Sequence, residues 1–195
     1  MRERLPICTL ALCAIATIVY ALPQLQAPLV YNRAAVATGE LWRLASGNLV
    51  HFSSGHLAKD IAALFLAGAL IEMLGYRHFL LLCVVSAFLI GLELYALEPA
   101  VLVYGGLSGV AVAAFAYLGL HGATDKDAYG RICRLALIGL VAKIGLEFAF
   151  APRVSDEFVL VPMSHAIGAL AASVLFTVTR LKRTQGSASF AICRV

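Results

Sequence analysis

Six apolar segments divide this chain, at about 6–22, 47–74, 79–97, 106–121, 131–150 and 158–180, with polar residues gathered in the short intervals between them. A helix crossing the ~30 Å hydrocarbon core of a bilayer needs ~20 residues. Five segments meet that length closely. The fourth does not, since a helix of about 15 residues rises only ~22 Å. The pattern predicts an all-α membrane protein of six helices with a short, recessed fourth. Residues 1–180 form one membrane domain, 23–46 a long external loop, and 181–195 a short basic cytoplasmic tail. No internal repeat is evident.

Composition agrees with this pattern. The chain is 62% hydrophobic and 13% charged, whereas soluble domains carry about a quarter charged residues. The net charge of +4 gives no reason to expect nucleic acid, and no cofactor is called for. The basic residues are informative by placement. With the N-terminus inside, cytoplasmic segments hold Arg2, Arg4, Arg77, Lys126, Arg131, Arg134, Arg180, Lys182, Arg183 and Arg194, and outer segments only Arg33, Arg43 and Arg153. That bias puts both termini in the cytoplasm. Lys59 and Lys143 are intramembrane. The start, Met1-Arg2-Glu3-Arg4 and an apolar run to Leu22, has the outline of a secretory signal. It is read as an uncleaved first helix, because the run is long for a signal and its removal would leave an odd number of spans. Cys8, Cys13, Cys83, Cys133 and Cys193 are odd in number and form no CxxC pair, so they are read as buried free thiols with no zinc site.

Depth along the helices then sorts the polar residues. Counted at 1.5 Å per residue from the segment ends, Ser108 and His165 each lie ~10 Å below the outer surface. Asp60 lies ~8 Å below it, with His56 one turn above. Four polar residues from three segments thus share one shallow layer. Residues 99–104 are apolar and descend toward the short helix. Irregular backbone at that depth requires surrounding protein or a water-filled cavity, so a cavity open to the outer side is expected.

Ser108 falls in the first turn of its helix, where backbone N–H groups are unpaired and the dipole is positive. Gly105, Gly106 and Gly109 allow close approach of a substrate backbone. A serine becomes a nucleophile when a base takes its proton, and histidine is the usual base. Gly109, Ala113 and Ala116 make one small-residue stripe, and Gly168 and Ala172 another, which would let the two helices meet. Against this, a GxSG tetrapeptide alone is weak evidence, and a lone membrane histidine also serves as a helix–helix hydrogen bond. Glu72 and Arg77 are read as structural. Lys143 and Glu147, at i and i+4, are read as neutralising each other, and Glu93 as doing so with an unidentified neighbour. His51, His78 and His121 sit near segment ends and are assigned to the interface.

These residues resemble the rhomboid intramembrane serine proteases over roughly 40–180. Leu41-Trp42-Arg43 is similar to the tryptophan–arginine motif of the first external loop. His51 and His56 match the two histidines entering the second helix, and Glu72 an acidic residue near its end. Gly106-Leu107-Ser108-Gly109 matches the GxSG motif, and His165-Ala166-Ile167-Gly168 with Ala172 the histidine followed by small residues. The resemblance implies a rhomboid-like bundle with Ser108 as nucleophile and His165 as base. His56 and the Ser108 N–H would form the oxyanion hole, with Asp60, Gly106 and Leu107 in support. It implies hydrolysis of peptide bonds in or beside transmembrane segments of protein substrates in a bilayer. Two positions depart from the pattern. Asp60 stands where the family usually has asparagine, so it would serve only if protonated or by orienting His56. Val112 stands where bacterial members carry a tyrosine.

The compact form, the Lys143–Glu147 pair and the altered motif look closest to the rhombosortases. The implied substrates carry a C-terminal GlyGly-type sorting signal, and the implied location is a bacterial inner membrane with the site facing the periplasm. Two other classes compete: a non-catalytic rhomboid-like protein that binds transmembrane helices, and a small transporter using Lys143, Glu147 and Glu93.

Overall fold

The computed structural model describes residues 4–150 and 161–192, with side chains to 181. Helices dominate: α1 (Ile7–Ala21), α2 (Pro23–Leu29), α3 (Arg33–Ala37), α4 (Arg43–Ser46), α5 (Ser54–Met73), α6 (Phe79–Leu97), α7 (Ser108–Gly122), α8 (Ala128–Phe150) and α9 (Pro162–Ile192). Two short strands, β1 (Tyr31–Asn32) and β2 (Val103–Tyr104), pair antiparallel.

Each apolar segment holds one long helix, and local chemistry sets where it begins. In segment 47–74 a short 3-10 turn at Gly47–Leu49 comes first, and the α-helix begins at Ser54, where the Ser53 hydroxyl caps α5 by accepting from the His56 amide. The Asp127 carboxylate accepts from the Gly130 amide at 2.9 Å, so α8 starts three residues before the expected 131. Pro162 opens α9, where its missing N–H is no loss. Residues 158–160, expected to begin that segment, lie outside the described residues. The α9 backbone continues to Ile192, through most of the stretch read as a tail.

Among the described residues, three helices are long and apolar enough to cross a membrane: α5, α6 and residues 162–181 of α9. The pair α1 and α2, bent by 108°, qualifies together as a fourth. α7 is apolar but only 15 residues long, and α8 carries Arg131, Arg134, Lys143 and Glu147 along its 23 residues. The exposed faces bear large apolar side chains such as Leu66, Leu80, Val84, Leu135, Ile138 and Val174. A continuous apolar exterior of this kind suits a lipid solvent and would aggregate in water.

α7 sits at the centre, packed against α5, α6, α8 and α9, with ten of its fifteen residues buried. Its contact with α9 depends on glycine. A Cβ on Gly168 would collide with the Gly109 carbonyl oxygen and approach the Ala113 nitrogen to 3.3 Å, and backbone cannot swing aside. Gly168→Val is therefore expected to separate α7 from α9 and destabilise the fold by roughly 1–3 kcal/mol or more. Thermal unfolding in detergent measures this, and an unchanged midpoint would refute the packing argument.

The stretch read as a long external loop, 23–46, is ordered by side chains that reach backbone carbonyls. Arg43 donates to Glu40 at 2.7 Å and to the carbonyls of Ala27 and Val30, both at 2.8 Å. The Trp42 indole donates to Pro28 O. Arg33 donates to the carbonyls of Leu94 and Tyr95, neutralising the negative end of α6. Glu72 is structural as expected: it accepts from the amides of Cys8 and Thr9 and from the Thr9 hydroxyl, satisfying the start of α1. Glu93 differs from expectation. It is buried, and neither carboxylate oxygen has a hydrogen-bond partner among the described residues. It lines a leucine- and valine-rich groove between α6 and α9 whose lining does not include Lys143 or Glu147.

Candidate active site

The pairing of β1 with β2, Tyr31 opposite Tyr104 and Asn32 opposite Val103, holds the descending strand against the ordered loop. The chain then turns through Gly105, Gly106 and Leu107 into α7, whose first residue is Ser108. Gly106 has φ +141°, a conformation that favours glycine. A Cβ there would also lie 2.7–2.8 Å from two atoms of the His56 ring. Glycine is required at this position by both conformation and space. Ser108 is half-buried at the mouth of the helix.

One turn of α5 carries His56 and Asp60, and His51 precedes the helix. Asp60 Oδ2 lies 3.1 Å from His51 Nε2 and 3.3 Å from His56 Nε2. The two imidazole rings meet edge to face. His51, placed at the interface by its position in the sequence, is instead completely buried, and its Nε2 also lies 3.4 Å from the Leu107 amide. The ligating atoms of His51, His56 and Asp60 fall within 4.8 Å of one another, so these three residues could together hold a metal ion. Their contacts through Asp60 account for the grouping without one.

His165 is the fourth residue of α9 and is buried. Its Nδ1 lies 2.6 Å from Glu147 Oε2. Glu147 Oε1 accepts from Lys143 Nζ at 2.5 Å, and that ammonium is 3.4 Å from His165 Nδ1. Lys143 and Glu147 do pair as their spacing suggests, but Glu147 also reaches a second helix. That partner is 18 residues away, outside any local pattern. The depth argument could have found it, because Glu147 lies three residues from the C-terminal end of α8, as His165 lies three residues from the start of α9.

Ser108, Asp60, Val112, Lys59, Lys143 and His165 line one cavity of about 400 Å³. Three of the six predicted site residues, Ser108, Asp60 and His165, thus share a single space, with His56 behind Asp60 and Gly106. Leu107 is buried and contributes its backbone. Val112 contributes an apolar wall. Tyr104, which the sequence did not single out, is buried with its hydroxyl 3.5 Å from the Gly106 carbonyl and beside the hydroxyls of Ser164 and Ser108.

A cavity with a helix-mouth serine and a carboxylate-held histidine has the parts for nucleophilic acyl transfer. No curated protein matches the chain in sequence. The rhomboid domain profile matches residues 38–191, which include α4 to α8, all but the last residue of α9 and every residue of this cavity, and the chain belongs to the rhomboid family of membrane proteins.

Proposed function

We propose that this protein is an intramembrane serine endopeptidase of six spans, with both termini in the cytoplasm and its site open to the outer side of a bacterial inner membrane. The observation that carries the reading is the single cavity lined by Ser108 and His165. In this mechanism Ser108 Oγ attacks the carbonyl carbon of a peptide bond in or beside a transmembrane segment. An Oγ–C bond forms, the carbonyl π pair moves to oxygen, and the hydroxyl proton passes to His165 Nε2. The oxyanion is met by the Ser108 amide at the positive end of α7 and by His56. The C–N bond then breaks as His165 returns its proton to the leaving amine. Water, deprotonated by His165, hydrolyses the acyl-enzyme and restores Ser108.

Asp60 is assigned the orienting role. Its Oδ2 within hydrogen-bond distance of both His51 and His56 supports a carboxylate that holds the two rings beside the turn at Gly106. The substrate class is a protein with a C-terminal signal of small residues, a membrane helix and a basic end, as for rhombosortases. The compact form and the Lys143–Glu147 pair support that assignment.

The test is incubation of the protein, reconstituted in phospholipid vesicles, with such a substrate. Mass spectrometry should find one cut at the small-residue segment, and a fluorophosphonate should label Ser108. Absence of both would leave the second reading, a non-catalytic binder of transmembrane helices, which the replacement of the usual asparagine by Asp60 favours.

A further inference from the structure

One carboxylate at this site has no part in a two-residue mechanism. Glu147 stands near the end of α8 with both oxygens engaged, Oε2 at 2.6 Å from His165 Nδ1 and Oε1 at 2.5 Å from Lys143 Nζ. An imidazole can accept a proton at Nε2 only when its own proton sits on Nδ1, and a carboxylate at Nδ1 selects that tautomer and fixes the ring plane. The contact is at the short end for a charge-assisted hydrogen bond. It is also sheltered: the two side chains are 15% and 5% exposed, so little water competes for either partner.

Packing does not explain the contact. Only Gly130 and Cys133 of α8 are buried, so this helix has no general need to turn a carboxylate inward. Lys143, one turn earlier and 49% exposed, occupies the far oxygen and leaves Oε2 directed at His165.

We infer that Glu147 is the positioning residue of a Ser108–His165–Glu147 triad, with Lys143 orienting its carboxylate. The inference rests on the reading of Ser108 as nucleophile and His165 as base. Glu147 accepts the Nδ1–H bond throughout and stabilises the imidazolium formed when Nε2 takes the serine proton. It does not itself take a proton.

The experiment measures the rate at which a fluorophosphonate labels Ser108, a step that forms an Oγ–P bond and releases fluoride, together with kcat and KM for a peptide substrate. Wild type, Glu147→Gln, Glu147→Asp, His165→Ala and the double variant His165→Ala/Glu147→Gln are compared in the same detergent. Glu147→Gln is expected to lower the labelling rate and kcat by about 100-fold or more, with KM within about threefold, since removal of the orienting carboxylate of a triad acts on the chemical step. Glu147→Asp should recover part of the loss. On a His165→Ala background, Glu147→Gln should add nothing, because a residue that acts through the histidine has nothing left to orient. Labelling of Glu147→Gln within about threefold of wild type, or a further loss on the His165→Ala background, would overturn the inference. Failure of wild type to label at Ser108 would instead overturn the reading beneath it. Circular dichroism melting of each variant separates these outcomes from misfolding.

Discussion

Ser108→Ala is expected to lower kcat/KM for a transmembrane substrate by about 10⁴-fold or more and to abolish fluorophosphonate labelling, with His165→Ala close behind. The double variant should be no worse than either alone, because nucleophile and base act as one unit. The fold should survive the serine substitution. Ser108 is the first residue of α7 and only half-buried, no cap depends on its side chain, and alanine is the best helix former. Unchanged thermal unfolding beside lost cleavage would localise the defect to chemistry. Cleavage by purified Ser108→Ala within tenfold of wild type would refute the nucleophile assignment.

The second large effect is expected at Asp60. Removing the carboxylate takes a hydrogen-bond partner from His51, which is wholly buried, and from the neighbouring His56. Asp60→Ala should therefore destabilise the protein by about 1–3 kcal/mol and lower kcat by about 100- to 1,000-fold through a misplaced oxyanion donor. Asp60→Asn should retain much of the activity, because its carbonyl still accepts from one imidazole and its amide adds a donor. Thermal unfolding and kcat, measured on both variants, decide the matter. An Asp60→Ala protein with wild-type kcat would remove Asp60 from the site.

Much of the architecture was legible because lipid and helix geometry impose it. The segment read as 79–97 coincides with Phe79–Leu97, and that read as 106–121 differs from Ser108–Gly122 by two residues or fewer at each end. Apolar runs bounded by glycine and polar residues leave little freedom in where a helix begins and ends. The shortness of α7, 15 residues, was visible for the same reason. Its position at the centre of the bundle was not, since an apolar run reads alike whether its neighbours are lipid or protein. Segment 23–46, read as a long external loop, showed none of its internal order in the sequence. Its order comes from Arg33 and Arg43 reaching carbonyls up to 62 residues away and from a strand pairing between residues 31–32 and 103–104.

The site divides in the same way. Ser108 and His165 could be singled out because a helix-mouth serine between glycines and a histidine in an apolar run each violate the surrounding composition, and depth can be counted from segment ends. His51 and Glu147 could not be assigned from local pattern. Each sits near a segment end, where a polar residue is unremarked; Glu147 finds its partner on another helix, and His51 finds Asp60 nine residues on, outside any helical spacing. The sequence by itself determined the solvent, the helices, the layer in which polar residues collect, and the nucleophile and base to propose. The tertiary structure alone decided that Asp60 lies against two histidines and that Glu147 lies on His165. The small-residue stripes at Gly109 and Gly168 announced that α7 and α9 could meet, but hydrogen-bond partners on different helices are chosen by packing and leave no mark in spacing along the chain.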